Sequence, residues 1–261
     1  MSHPLAVITG ATSGIGAAYA DRMAADGYNL LLTGRREDEL AAVCDRLRQR
    51  YPVEVEYRLV DLAEADQREA LVQEVTLLPR LDALINNAGY AEDGRFGDLN
   101  WSRHQALLDV HVTSTLQLTH AALPNLIRAR GLLINLASVA SWLPTPQSAL
   151  YGPTKTFVRA LTETLALSYR RDGLRALAVC PGFTVTDFHA RLGLDPDSFY
   201  KRHGITRAWS AKAVVERSLN DLARGRVLSI QGWNYRLIVP VLRHLPVRWL
   251  HAALARSDRA R

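Results

Sequence analysis

Seven short apolar runs punctuate the chain: LAVIT (5–9), YNLLLT (28–33), VEVEYRLV (53–60), LDALIN (81–86), GLLINLA (131–137), LRALAVC (174–180) and RVLSIQG (226–232). Between them, apolar residues recur at three- and four-residue spacing over about 14–26, 36–50, 64–78, 101–129, 152–171 and 211–224. The runs are short and nearly all apolar, as in strands buried on both faces, whereas the intervening stretches have the period of amphipathic helices. Strand and helix alternating in this way predict an α/β fold: a doubly wound parallel sheet of about seven strands with helices on both faces. No linker, low-complexity tract or internal repeat interrupts the pattern, so residues 1–261 are expected to form a single domain.

Two segments depart from the alternation. Residues 187–209, DFHARLGLDPDSFYKRHGITRAW, form a long connection rich in aromatics, Gly, Pro and basic residues, as expected of a lid over a ligand. Residues 233–261 form a basic and apolar tail in which Pro240 and Pro246 rule out one long amphipathic helix. Such a tail would wall a substrate pocket, pack between subunits or touch an anionic membrane surface.

Composition narrows the class. With 48% hydrophobic and 22% charged residues, the chain is ordinary for a globular protein. Cys44 and Cys180 lie far apart without metal-type spacing, which argues against a disulfide framework or a zinc site. No run has the length of a bilayer span and no signal-peptide pattern opens the sequence, so a cytoplasmic location is expected. The net charge of +6 is uneven: residues 201–261 carry thirteen Lys or Arg against Glu216, Asp221 and Asp258. A basic surface of this kind suits nucleic acid or anionic lipid, or is simply solvated. Without a nucleic-acid-binding motif, no nucleic-acid partner is expected.

The first chemistry appears directly after the first run. TGATSGIG (9–16) leads into a helix, and its backbone N–H groups at Gly10, Thr12, Ser13, Gly14, Ile15 and Gly16 suit a dinucleotide pyrophosphate at a helix N-terminus. After the second run the chain reads TGRRED. No acid stands where an NAD ribose would be held, and Arg35 is well placed to clamp a 2′-phosphate, so NADP(H) is favoured over NAD(H). Arg36 reads as an ordinary surface charge at a helix start. In YGPTK (151–155), Pro153 marks a first helical turn, and Tyr151 and Lys155, four positions apart, share a face.

Together these motifs resemble the classical short-chain dehydrogenases/reductases over about residues 5–232. The resemblance implies a Rossmann-like fold. It also implies that Asp61 and Leu62 in VDL contact the adenine, that Asn87, Ala88 and Gly89 in NNAG lie beneath the cofactor, and that Pro181, Gly182, Thr184 and Thr186 in CPGFTVT surround the nicotinamide. Ser138, Tyr151 and Lys155 match the family's catalytic serine and its Tyr-x-x-x-Lys pair, with Tyr151 exchanging the proton and Lys155 also holding the ribose. The implied activity is an NADP(H)-dependent interconversion of a ketone or aldehyde with an alcohol, acting as a reductase on a lipophilic or acyl-type carbonyl. A homodimer or homotetramer through helices 101–129 and 152–171 is implied as well.

Two positions depart from the family pattern. His111, in LDVHVTST, stands where many members have an asparagine that supports a proton relay; it either relays protons itself or merely fills the site. Pro153 stands where small residues are usual and is expected to stiffen the turn without loss of activity. A cofactor-sensing protein of the same fold is the alternative reading, although such a protein should have lost the Tyr or the Lys. A sugar-nucleotide epimerase or dehydratase would need a longer C-terminal region.

Overall fold

The computed structural model describes residues 3–185, 208–232, 235–237, 239 and 248. Seven strands form one parallel sheet: β1 (Leu5–Thr9), β2 (Asn29–Gly34), β3 (Val55–Leu59), β4 (Ala83–Asn86), β5 (Leu132–Leu136), β6 (Arg175–Cys180) and β9 (Leu228–Ile230), in the order β3-β2-β1-β4-β5-β6-β9. The helices are α1 (Gly14–Ala25), α2 (Glu37–Arg50), α3 (Ala65–Leu77), α4 (Trp101–Leu108), α5 (Ser114–Ala129), α6 (Tyr151–Ser168) and α7 (Ala211–Ala223).

The two-residue period of a strand explains why helices are needed on both faces. Ala6 and Ile8 of β1, Leu30 and Leu32 of β2 and Ile85 of β4 point into one core, closed by Tyr19 and Met23 of α1, Leu40 and Leu47 of α2 and Val215 of α7. Their neighbours Val7, Leu31 and Leu84 point into the other core, closed by Leu71 and Val75 of α3, Leu118 and Leu126 of α5 and Ala166 of α6. The inner strands are therefore apolar at consecutive positions, whereas β3, at the sheet edge, alternates as VEYRL and is only partly buried. The predicted doubly wound sheet is the observed one.

Two details differ from the sequence reading. The stretch 101–129 is not one α-helix: α4 and α5 are joined by a π-helical turn at Asp109–Thr113. A second small sheet also pairs β7 (Thr184–Val185) with β8 (Trp209–Ser210) in parallel, bringing together the two flanks of the predicted lid. Residues 186–207, with Thr186 and nearly all of that lid, lie outside the described residues, as does most of the tail. Among the described residues no helix is long and apolar enough to cross a membrane.

The sheet order reverses between β1 and β4, and ligands of open α/β sheets sit in the crevice at such a switch point. At the opposite end of the sheet, Gly131 lets the lead into β5 approach the lead into β4. A Cβ on Gly131 would lie 2.4 Å from the Asp82 carbonyl oxygen. Both partners are backbone, so neither yields cheaply. Gly131→Ala is expected to cost about 1–3 kcal/mol in urea denaturation.

Candidate active site

At the switch point β1 and the segment after β4 are tied reciprocally. The Thr9 hydroxyl accepts from the backbone N–H groups of Asn87 and Ala88 at 3.0 and 3.1 Å. The Asn87 amide returns the tie, donating to the carbonyls of Thr9 and Gly10 at 3.0 and 2.9 Å. Gly10 and Gly14 hold φ of +66° and +59°, so the chain turns sharply into α1. Gly16 is a packing requirement, because a Cβ there would lie 2.2 Å from the Gly10 carbonyl oxygen.

The two arginines after β2 take different posts. Arg35 donates to Asp61 at 3.0 Å, but its side chain is 59% exposed, so this pair is weak and easily exchanged for another anion. Arg36 reaches back over the glycine turn, donating to Thr12 Oγ1 at 2.7 Å and Ser13 Oγ at 3.3 Å, and it also pairs with Glu39. The sequence reading of Arg36 as a plain surface charge is therefore corrected: its guanidinium lies on the turn. Gly34 permits this closeness, since a Cβ there would be 2.6 Å from Thr12 Cγ2.

On the other side of the crevice, β5 ends at Leu136 and delivers Ser138, whose hydroxyl caps the following 3₁₀ turn by accepting from Ala140 N–H at 3.1 Å. The same side chain hydrogen-bonds Tyr151. Tyr151 opens α6, as Pro153 in the first turn predicts. Gly152 is needed for space as well: a Cβ would lie 2.8 Å from Thr145 Oγ1, whose oxygen accepts from Gly152 N–H at 3.2 Å. Burial pushes the Tyr151 phenol above its ordinary value, and the Ser138 hydrogen bond acts against that shift.

Lys155, one turn along α6, is 5% exposed, donates to the Leu136 carbonyl at 2.8 Å and lies 5.9 Å from the Tyr151 ring centroid. Burial pulls its amine down to about 8. His111, in the π-turn, is buried behind this pair. Its Nε2 accepts from Tyr90 N–H at 3.1 Å, and its Nδ1 lies 2.9 Å from Thr154 Oγ1.

These groups surround one cavity of about 840 Å³, which runs from Arg35 and Asp61, past the glycine turn, to Ser138, Tyr151 and Phe183. Every sequence-predicted cofactor residue within the described part of the chain lines it except Gly16, which packs beneath the turn. His111 does not line it. A cofactor with two phosphates fits the cradle where the glycine turn, Arg36 and the α1 N-terminus converge. A family model described as short chain dehydrogenase matches residues 4–197.

The chain belongs to the short-chain dehydrogenase family. Sulfoacetaldehyde reductase 2 of Chromohalobacter salexigens is 36% identical over 188 residues, covering 70% of this chain and 74% of that one. Among solved structures, a short-chain dehydrogenase from Sphingobium yanoikuyae in complex with NADPH superposes with a TM-score of 0.82 at 29% identity, covering 98% of this chain and 94% of that one. The bulky-bulky ketone specific alcohol dehydrogenase of Comamonas testosteroni gives 0.79 at 25% identity, covering 100% and 94%. This short-chain dehydrogenase is accordingly an oxidoreductase of alcohol and carbonyl groups that uses a nicotinamide cofactor.

Sequence reading missed Thr154, hidden inside YGPTK, and Tyr235 of the tail. The Tyr235 ring sits so close over Gly182 that a Cβ there would meet its Cε2 at 2.1 Å, and Tyr235 lines the cavity.

Burying the Lys155 ammonium costs this short-chain dehydrogenase stability below pH 8. Between about 8 and 10.5 the unfolded chain holds a proton the folded one has released, so stability rises with pH across that window. Lys155→Met is expected to stabilise the fold at pH 7 by about 1–3 kcal/mol, with the gain shrinking toward pH 10. Urea denaturation of both proteins at pH 7 and pH 9.5 checks this.

Proposed function

We propose that the protein is an NADPH-dependent reductase of ketones or aldehydes, acting on a lipophilic or acyl-type carbonyl. The observation that carries this reading is the convergence of the Ser138 and Tyr151 hydroxyls, hydrogen-bonded to each other beside the buried Lys155, in the same cavity as the glycine turn. A carbonyl oxygen that replaces their mutual bond meets two O–H donors at once.

The reduced nicotinamide, when bound, supplies the hydride. The chain supplies the rest. As negative charge grows on the carbonyl oxygen, Ser138 donates a hydrogen bond to it and Tyr151 transfers its proton. A buried phenol resists giving up that proton, and the Lys155 ammonium on the same helix face favours the phenolate that remains. Gly10, Thr12, Ser13, Gly14 and Ile15 would hold the pyrophosphate, Asp61, Leu62, Asn87, Ala88 and Gly89 the adenosine and central part, and Pro181, Gly182 and Thr184 the nicotinamide.

NADPH preference is supported by the Arg35 guanidinium beside Asp61 at the adenosine end of the cavity, with Arg36 adjoining it on the glycine turn. The similar Sphingobium enzyme was solved with NADPH. A lipophilic substrate is supported by Leu143, Pro144, Phe183 and Tyr235 in the wall, and the similar Comamonas enzyme is named for bulky ketones. Association into a homodimer or homotetramer is supported by the exposed Leu116 of α5 and Phe157 and Leu167 of α6.

NADPH and NADH titrations of wild type, Arg35→Ala, Arg36→Ala and the double variant test the cofactor assignment. Wild type is expected to bind NADPH at least about tenfold more tightly, with the preference gone in the double variant. Equal binding of NADH by wild type would refute it. Tyr151→Phe is expected to bind NADPH normally and to lose at least about a hundredfold in kcat toward aryl ketones. Full activity in that variant would remove the proposed chemistry.

A further inference from the structure

We propose that His111 is a positioning residue, a cross-brace that ties the segment after β4 to the first turn of α6, rather than a proton carrier. The inference rests on Tyr151 and Lys155 being the reacting pair. A backbone N–H only donates, so the Tyr90 bond assigns the lone pair to Nε2 and the proton to Nδ1, which donates to Thr154 Oγ1 at 2.9 Å. The Thr154 hydroxyl passes the tie on, donating to the Tyr151 carbonyl at 3.0 Å. One chain of bonds thus runs from Tyr90 N–H through the imidazole and Thr154 to the backbone of Tyr151.

Both ring nitrogens are engaged, and the surroundings oppose a second ring proton. A single point, where a Cβ on Gly89 would stand, lies 2.9 Å from His111 Nε2 and 3.2 Å from Lys155 Nζ. Protonating Nε2 would break the Tyr90 bond and set a cation next to the ammonium. The Tyr90 and Tyr151 rings pack edge-on at 5.9 and 6.0 Å between centroids and bring no anion. Asp109, two positions earlier, pairs with Arg68 at 3.7 Å. Burial first, and the Lys155 charge second, hold the imidazole well below its ordinary value. The π-turn supplies the geometry, carrying His111 between the β4 segment and α6.

The ring state is read directly by ¹⁵N NMR of histidine-labelled protein from pH 5.5 to 8, with His111→Asn assigning the signal. The brace requires a neutral Nδ1–H ring that does not titrate across this range. Titration between pH 6 and 7, or an Nε2–H ring, would overturn it. Stability gives a second view. Below pH 6.5 the unfolded His111 gains a proton that the folded one refuses, so wild type is expected to lose stability as pH falls and His111→Leu to lose less.

Function is read with NADPH and a panel of aryl ketones in His111→Leu, in the near-isosteric Thr154→Val and in the double variant. Each single change is expected to lower kcat about tenfold with NADPH affinity within about twofold. The double variant should fall no further than the worse single one, since both break the same chain of bonds. Unchanged kcat in both singles, or additive losses, would sink the brace. Absence of any turnover in wild type, or full activity of Tyr151→Phe, would refute the reductase reading instead, and the NMR result would still decide the state of the ring.

Discussion

The clasp between Thr9 and Asn87 is the interaction on which the site depends. Parallel strands leave their C-terminal ends without a common cap, and where the strand order reverses the helices leave in opposite directions, opening a crevice. Here four hydrogen bonds close the floor of that crevice without filling it, using one buried hydroxyl and one amide. The glycine turn is held against this floor through the Gly10 carbonyl. Two surfaces remote in sequence thereby become the base of one cavity.

The far end of the cavity is organised around a charge kept out of water. Lys155 lies at the end of a helix turn, bonded to the last carbonyl of β5, where its ammonium is costly. Such an arrangement survives because the surrounding elements over-determine it: α6 starts at Tyr151, Gly152 lets the 143–145 segment press against that start, and Ser138 meets the phenol from β5. The strain is local, and two large apolar cores on either side of the sheet offset it.

Most of the sheet was legible because its inner strands are buried on both faces and stand out as apolar runs, while the edge strand β3 shows the alternation of VEVEYRLV instead; only the ends shifted, since runs such as VEVEYRLV and RVLSIQG continue into the adjoining loops. The glycine turn and YGPTK were legible because backbone turning and helix starts demand particular residues. Other features left no such mark. The π-turn in DVHVT adds no Gly or Pro and barely disturbs the apolar period, so 101–129 read as one helix. Arg36 looked like a helix-start charge because the sequence does not say which way a long side chain folds. Thr154 looked like filler, its meaning residing in a histidine that only the tertiary structure brings beside it. The β7–β8 pair, two residues each, is too short to show any period.

Tyr235 has one further consequence. Ser138, Tyr151 and Lys155 all fall within residues 4–197, the part of the chain that follows the family pattern, whereas the ring that lies on Gly182 comes from beyond it. The reacting groups and one face of the cavity wall are thus supplied by separate stretches of the chain. A change at Tyr235 would reshape that face of the cavity while Ser138, Tyr151 and Lys155 stay untouched.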